Sequence, residues 1–250
     1  KTMATLGSAA VGQATLQAKG YRPELIMPAL QPIVVDLHAI GNPWVNYNIY
    51  LSTMIVPGCF LLFIFLLTPY CFGTELKFGT SHELLGKAGG NSFIAIIGKL
   101  IPHTIIYSLV MIGIMVYMFG YLNFPAPGGI GRIAMLGLLT VIGAQGFGLT
   151  VFALIPSLRM SMSICSLMGV LSFSMVGSAF PIFAMDAPLQ ALSWLFPLRH
   201  YYMIYQLCVF NTYPLADAFS HITCLIGFAV LPCLFIGRIG NVLQNYEYME

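Results

Sequence analysis

Between Leu51 and Phe72 the chain runs for 22 residues without a formal charge. A helix of about 20 apolar residues is what crosses the roughly 30 Å of hydrocarbon in a bilayer. Runs of the same character recur at about Ile101–Tyr121, Ile133–Leu158, Ser161–Phe183 and Phe219–Gly237, so five spanning helices are predicted. Composition closes off the soluble alternative. Charged residues make up only 7% of the chain and hydrophobic ones 58%, whereas about a quarter of a soluble domain is charged. The fold class is therefore an all-α polytopic membrane protein. A net charge of +2, with no basic tract interleaved with aromatics, gives no reason to expect a nucleic acid partner.

The spans carry their own punctuation. Pro57-Gly58 is expected to kink the first and serve as a hinge, and a kinked spanning helix frees carbonyls that neighbouring helices must satisfy. Lys99 is placed just before the second span, where it can snorkel to the interface. Asn123–Gly131, rich in Pro and Gly, reads as a tight loop. In the third span Ala144 and Gly148 are four apart, a spacing that lets helices approach closely, and Gln145 can hydrogen-bond across that contact. Arg159 falls in a very short connection, and Ser174 and Ser178 repeat the small-residue spacing in the fourth span. From Ala184 to Ser220 the pattern breaks. Pro188, Trp194, Pro197, Arg199, His200 and Asp217 divide short apolar pieces, read as a helical hairpin that dips into the outer leaflet and returns. The fifth span is followed by Arg238 and a polar tail.

Residues 1–48 are the least hydrophobic and are read as the end of an external domain with an interfacial lead-in, leaving 49–250 as the transmembrane domain. Thr2–Ala18 predicts a helix that Gly20 ends before Pro23, and Ile33–Ile40 alternates like a half-buried strand. Asp36 and His38 share a face of that strand; without a third ligand nearby, a solvated face is the better reading than a metal site. Asn42-Pro43 marks a turn, after which Trp44, Tyr47 and Tyr50 mark the membrane edge. The chain opens on Lys1 without a signal segment, so a natural start upstream is expected. The six cysteines lie mostly in apolar runs without paired spacing and read as small hydrophobes.

The stretch from Gly73 to Lys99 differs from its surroundings. Glu75, Lys77, Glu83, Lys87 and Lys99 must stay near water while both flanking runs leave it. Thr80–Leu85 predicts a short helix with Thr80 or Ser81 as its cap and Glu83 or Leu84 turned outward. Placing this loop in the cytoplasm puts Lys77, Lys87, Lys99, Arg159 and Arg238 inside against Arg132 and Arg199 outside, the arrangement that the excess of basic residues favours.

Glu75, Gly79-Thr80, Glu83-Leu84, Gly98-Lys99 and Pro102 together resemble the cytoplasmic loop of permeases of the type 2 ABC exporters. Two more stretches agree: Asn42-Pro43 through Tyr47 and Tyr50 to Pro57-Gly58, and Pro188-Leu189-Gln190 through Trp194 to Pro197, Arg199 and Tyr201. The resemblance covers about residues 42 to 238. It implies six spans in the intact protein, the first lying upstream of Lys1. It also implies a permease of the inner, cytoplasmic membrane that exports a hydrophobic or amphipathic substrate by alternating access. Its partners would be cytoplasmic ATPase subunits, a second permease, membrane lipid and a periplasmic adaptor. Glu75, Gly79, Thr80, Ser81, Glu83 and Leu84 would couple to the ATPases, with Pro57 and Gly58 as hinge. No residue can be assigned to the substrate.

No cofactor is expected in this chain; ATP and Mg would bind the partner ATPase. From Gly79 to Ala88, six residues rather than four precede Gly86-Lys87, and Ala88 stands where a phosphate loop has Ser or Thr. Rival readings are a secondary transporter or channel, which would need intramembrane charges or inverted repeats, and an intramembrane enzyme. For the latter, His103, His200, His221, Asp186 and Asp217 are the candidates, but they follow no catalytic spacing and read as scattered packing or interfacial groups.

Overall fold

A computed structural model of the chain describes residues 2–20, 22, 26, 46–178 and 180–245. The chain divides into two units, Lys1–Val45 and Asn46–Glu250. In the first, α1 (Thr2–Ala18) forms where Ala, Leu and Gln predict it, and Gly20 ends it at φ +80°. Only Gly takes that conformation without strain, which is why the helix stops there. The strand predicted over Ile33–Ile40, the Asp36 and His38 pair on it, and the Asn42-Pro43 turn with Trp44 lie outside the described residues.

The second unit is helical, and no strand occurs among the described residues. Five of its helical stretches are long and apolar enough to cross a membrane: Tyr47–Lys77, Ser92–Tyr121, Ile130–Leu154, Leu158–Met175 and Leu215–Asn245. The first is α2 (Tyr47–Lys77); a short helix, α3 (Ser81–Lys87), separates it from α4 (Ser92–Met115), which widens into a π-helical turn over Val116–Tyr121. α5 (Ile130–Leu154) and α6 (Leu158–Met175) follow. The segment read as a dipping hairpin is two short helices, α7 (Ala187–Ser193) and α8 (Pro197–Ile204), the latter continuing as a π turn to Phe210. α9 (Phe219–Val230) and α10 (Ile236–Asn245) flank a 3-10 turn.

Several boundaries move from their expected places for local reasons. Asn91 accepts from the amides of Phe93 and Ile94, so α4 begins at Ser92, and Lys99 sits two turns inside it rather than ahead of it. Pro156 stops α5 at Leu154, because the residue before a proline avoids the helical region. That leaves Arg159 in the first turn of α6 rather than in a connection. Gly177, at φ +93°, ends α6 well before Phe183 and leaves Ser178 outside it. Beyond Gly237, where a polar tail was expected, α10 is an amphipathic helix that buries Ile239, Gly240 and Leu243.

α5 is the centre of the bundle. In its most apolar window 72% of residues are buried, against 17% for α4, and it packs on α2, α4, α6, α8 and α9. Its small residues make this possible. A Cβ on Gly146 would lie 2.1 Å from the carbonyl oxygen of Phe228, and one on Gly148 would lie 3.1 Å from the Thr68 side chain. The close approach expected at Gly148 is made to α2, whereas Gln145 bonds to a different helix: its side-chain oxygen accepts from the Thr104 hydroxyl of α4 at 2.8 Å.

α2 runs through Pro57 and Pro69 without interruption. Pro57 has no N–H, so the carbonyl four residues earlier, on Thr53, loses its helical donor. The buried Tyr201 hydroxyl of α8 donates to that carbonyl at 3.4 Å, as the bundle argument requires. Gly58 serves close approach, since a Cβ there would meet the Phe173 ring at 2.6 Å and Leu198 at 3.0 Å.

Two substitutions test this packing. Gly146→Ala puts a methyl into the α9 backbone and should lower stability by about 1–3 kcal/mol. Gly98→Ala, with open space around it, should be neutral or gain up to about 1 kcal/mol. Thermal unfolding in detergent compares them, and equal melting temperatures would contradict the seam. Tyr201→Phe strands the Thr53 carbonyl and should cost about 1–3 kcal/mol, read as a lower midpoint in the same assay.

Candidate functional site

The polar stretch between α2 and α4 is folded by three glycines. Gly79 (φ +69°) turns the chain out of α2, while Gly89 and Gly90 (φ +64° and +79°) turn it into α4. The Thr80 amide donates to the Glu75 carbonyl at 3.0 Å, and the Gly90 amide to the Leu85 carbonyl at 2.9 Å, closing both turns. Between them α3 docks through Ser81 and Leu85, which are buried, with Leu84 half-buried. Its seat is an apolar cluster made by the ends of α2, α4, α5 and α10, including Leu76, Ile96, Phe152, Ile239 and Leu243.

Glu75 ties this element together. One carboxylate oxygen accepts from the Lys99 ammonium and the other from the Thr80 hydroxyl. Only 16% of the Lys99 side chain and 20% of that of Glu75 is exposed. Thr80 stands at the N-cap position of α3 as predicted, but its hydroxyl goes to Glu75 and does not cap the helix. Lys99 does not reach outward for water. Its ammonium meets Glu75 and lies 5.9 Å from the centre of the Phe72 ring.

The residues named for coupling therefore take different roles. Glu83 is exposed on α3 together with His82, Gly86 and Lys87, whereas Ser81 faces the bundle and Leu84 packs partly on it. Glu75 and Thr80 form the clasp, and Gly79 forms the turn. Phe78 had no assigned role; it is 70% exposed beside the turn, between Lys77 and Gly79. An aromatic ring in a charged loop was the available signal. α10 was also missed, although Ile236, Ile239 and Leu243 recur at helical spacing. It passes so close to α4 that a Cβ on Gly240 would fall 2.2 Å from the Ser92 hydroxyl.

At the other end of α2 a second polar cluster forms. His103 stays apart from it, its Nδ1 near the Lys99 carbonyl at 2.9 Å. His200 and His221, which read as scattered, face each other Nδ1 to Nδ1 at 3.0 Å because α8 packs on α9. The Nε2 of His200 lies 2.8 Å from the Trp194 carbonyl and must donate to it. With His200 neutral, its Nδ1 is then the acceptor and His221 the donor, which fixes both tautomers. Trp194 stacks on His221 at 5.2 Å, and the Arg199 guanidinium lies 5.7 Å from the Trp194 ring centre. Asp186 and Asp217 are exposed and form no ion pair among the described residues.

An apolar cavity of about 270 Å³ lies between α4 and α5, lined by residues that include Met111, Met115, Phe119, Ile133 and Gly137. Such a lining accepts hydrocarbon and offers no hydrogen bond to a polar ligand.

Compared with known families, residues 2–237 match the sequence model of the family described as ABC-2 family transporter protein. No curated protein and no solved structure matches the chain.

Glu75→Gln removes the charge that holds Lys99 and should loosen α3. A hydrogen bond to a charged group contributes about 1.5–3 kcal/mol, so amide exchange in α3 should accelerate at least about ten-fold. Hydrogen exchange read by mass spectrometry checks this, and unchanged protection across 81–87 would count against the clasp.

Proposed function

Because the chain belongs to the ABC-2 transporter family, we propose that it is the membrane-spanning permease of an ATP-driven exporter, engaged by its ATPases through the 73–91 loop. The observation that carries this reading is the construction of the loop. An exposed face of His82, Glu83 and Lys87, with Phe78 beside it, is presented on a helix clasped by Glu75 to the ends of two spans. A solvated linker needs neither a buried underside nor a hydrogen bond from its cap to an ion pair that joins the two flanking spans; a handle that receives force needs both.

Work arrives from outside the chain. Nucleotide and Mg belong to cytoplasmic ATPase subunits, which press on α3 as they close. Glu75 passes that displacement to α2 and, through Lys99, to α4. Pro57-Gly58 is where α2 bends, since one of its hydrogen bonds is missing there. A second permease, a copy of this chain or a relative, provides the other wall of an alternating-access path in the inner membrane. A periplasmic adaptor can extend the route. The cargo is hydrophobic or amphipathic, in keeping with spans that offer apolar and aromatic surface and with a cavity suited to an alkyl chain.

Glu83→Lys reverses the charge on the exposed face of α3 without touching its buried side. It should abolish co-purification of an ATPase in mild detergent and reduce transport at least about ten-fold, a loss comparable to that of a well-placed charged contact. Glu83→Ala with Leu84→Ala should weaken both less completely. If ATPase association and transport survive all three changes, α3 is not the coupling element.

A further inference from the structure

Arg199 is a charged side chain buried inside the bundle. It is 92% buried, being 8% exposed, and Nε has no hydrogen-bond partner. Among the described residues the guanidinium makes no ion pair and no hydrogen bond; its contact is the face of Trp194. The two histidines nearby cannot neutralise it. Its neighbour Leu198 touches α2 at Gly58, eleven residues below the start of that helix, so Arg199 lies within the thickness of the spans. A charge taken out of water costs several kcal/mol unless an opposite charge meets it, and an unpaired intramembrane arginine marks a site with an absent partner.

The surroundings indicate what kind of partner. One guanidinium nitrogen would lie 3.9 Å from a Cβ on Gly177, whose own nearest neighbour is Ile182. On the hairpin that leads to Arg199, Leu192, Trp194 and Leu195 are each at least 42% exposed. A buried cation against the part-exposed Trp194 ring, on a hairpin that also exposes Leu192 and Leu195, matches a molecule with an anionic head and a hydrocarbon tail. The planar guanidinium fork suits a phosphate or carboxylate in particular.

We propose that Arg199 binds the oxyanion of an anionic amphiphile, whose alkyl chain lies along the exposed apolar residues of the α7–α8 hairpin. Trp194 covers the guanidinium, and the His200–His221 pair fixes the Trp194 carbonyl and ring. The inference deepens the export reading by giving the cargo a polar handle. Binding itself needs neither ATP nor a partner, so it can fail while the coupling reading stands, and the reverse.

The test uses the full chain purified in dodecyl maltoside, with Trp44→Phe so that Trp194 is the remaining one of the two tryptophans. Dodecyl phosphate, sharing the alkyl chain of the detergent, should change Trp194 emission saturably. Arg199→Gln should raise the half-saturating concentration at least about ten-fold, the loss of one charge-assisted contact. Arg199→Lys should fall between, and Arg132→Gln should titrate like the parent. Inorganic phosphate at the same concentrations should leave the emission unchanged. The proposal is overturned if Arg199→Gln titrates like the parent, or if inorganic phosphate is as effective, which would make the site one for a free anion. It is equally overturned if the change follows protein concentration instead of dodecyl phosphate, which would place a carboxylate from a second copy on Arg199. Should Arg199→Gln fail to fold, Arg199→Lys decides, because an ammonium without the fork that titrates identically also overturns it.

Discussion

A carboxylate near the C-terminal end of the first span, held at once by a lysine from the next span and by the N-cap threonine of the intervening helix, organises the polar end of this bundle. Neither charge is fully in water, so neither is cheap alone. Paired, they let α2 extend to Lys77 and α4 start at Ser92 without leaving a lone charge against apolar neighbours. The same pair decides where α3 can lie. Its seven residues are too few to be stable in isolation. It is helical because Leu85 and Ser81 find a seat and because Glu75 anchors its N-cap residue, Thr80.

That seat depends in turn on how closely the long helices approach. In lipid there is no hydrophobic drive between helices, so contact rests on fit and on the few polar bonds available. α5 supplies the fit with Gly146 against α9 and Gly148 against α2. Gln145 supplies a polar bond to α4. Arg238 closes the C-terminal end of α5 by donating to the Leu154 carbonyl at 3.0 Å, and Arg132 joins its N-terminal end to the carbonyls of Cys208 and Tyr213. Both arginines therefore hold the central helix to later parts of the chain, whereas Arg199, although buried, has no such employment.

The spans were legible because hydrocarbon thickness imposes a length that composition alone reveals. The Gln145 contact was legible for a similar reason: small residues four apart with one amide between them have few other uses in a membrane. What the sequence concealed was distance along the chain. Glu75 and Lys99 are 24 residues apart, and nothing local distinguishes a lysine that reaches for water from one that reaches for a carboxylate. His200 and His221 meet because α8 and α9 pack, a fact of tertiary structure with no periodic trace. α10 is different, since Ile236, Ile239 and Leu243 did carry a helical period. The polar residues between them were given more weight than the stripe.

α2 joins the two polar sites. With 31 residues it spans about 45 Å, carrying the Glu75 clasp near one end and the Gly58 contact with Leu198, next to Arg199, toward the other. Between the ends a straight helix would transmit tilt faithfully, but at Pro57 the ladder has lost a bond and a side chain from α8 has taken the acceptor. Pro69, nearer Glu75, leaves a second such gap in the ladder; a bend at Pro57 must in addition stretch or break the Tyr201 contact as it occurs. A displacement applied at α3 that bends α2 at Pro57 would thus reach the α8 hairpin through the Tyr201 contact. An anion held on Arg199 would lie two residues from Tyr201, where that displacement arrives, so loading the site and bending α2 act on the same short helix.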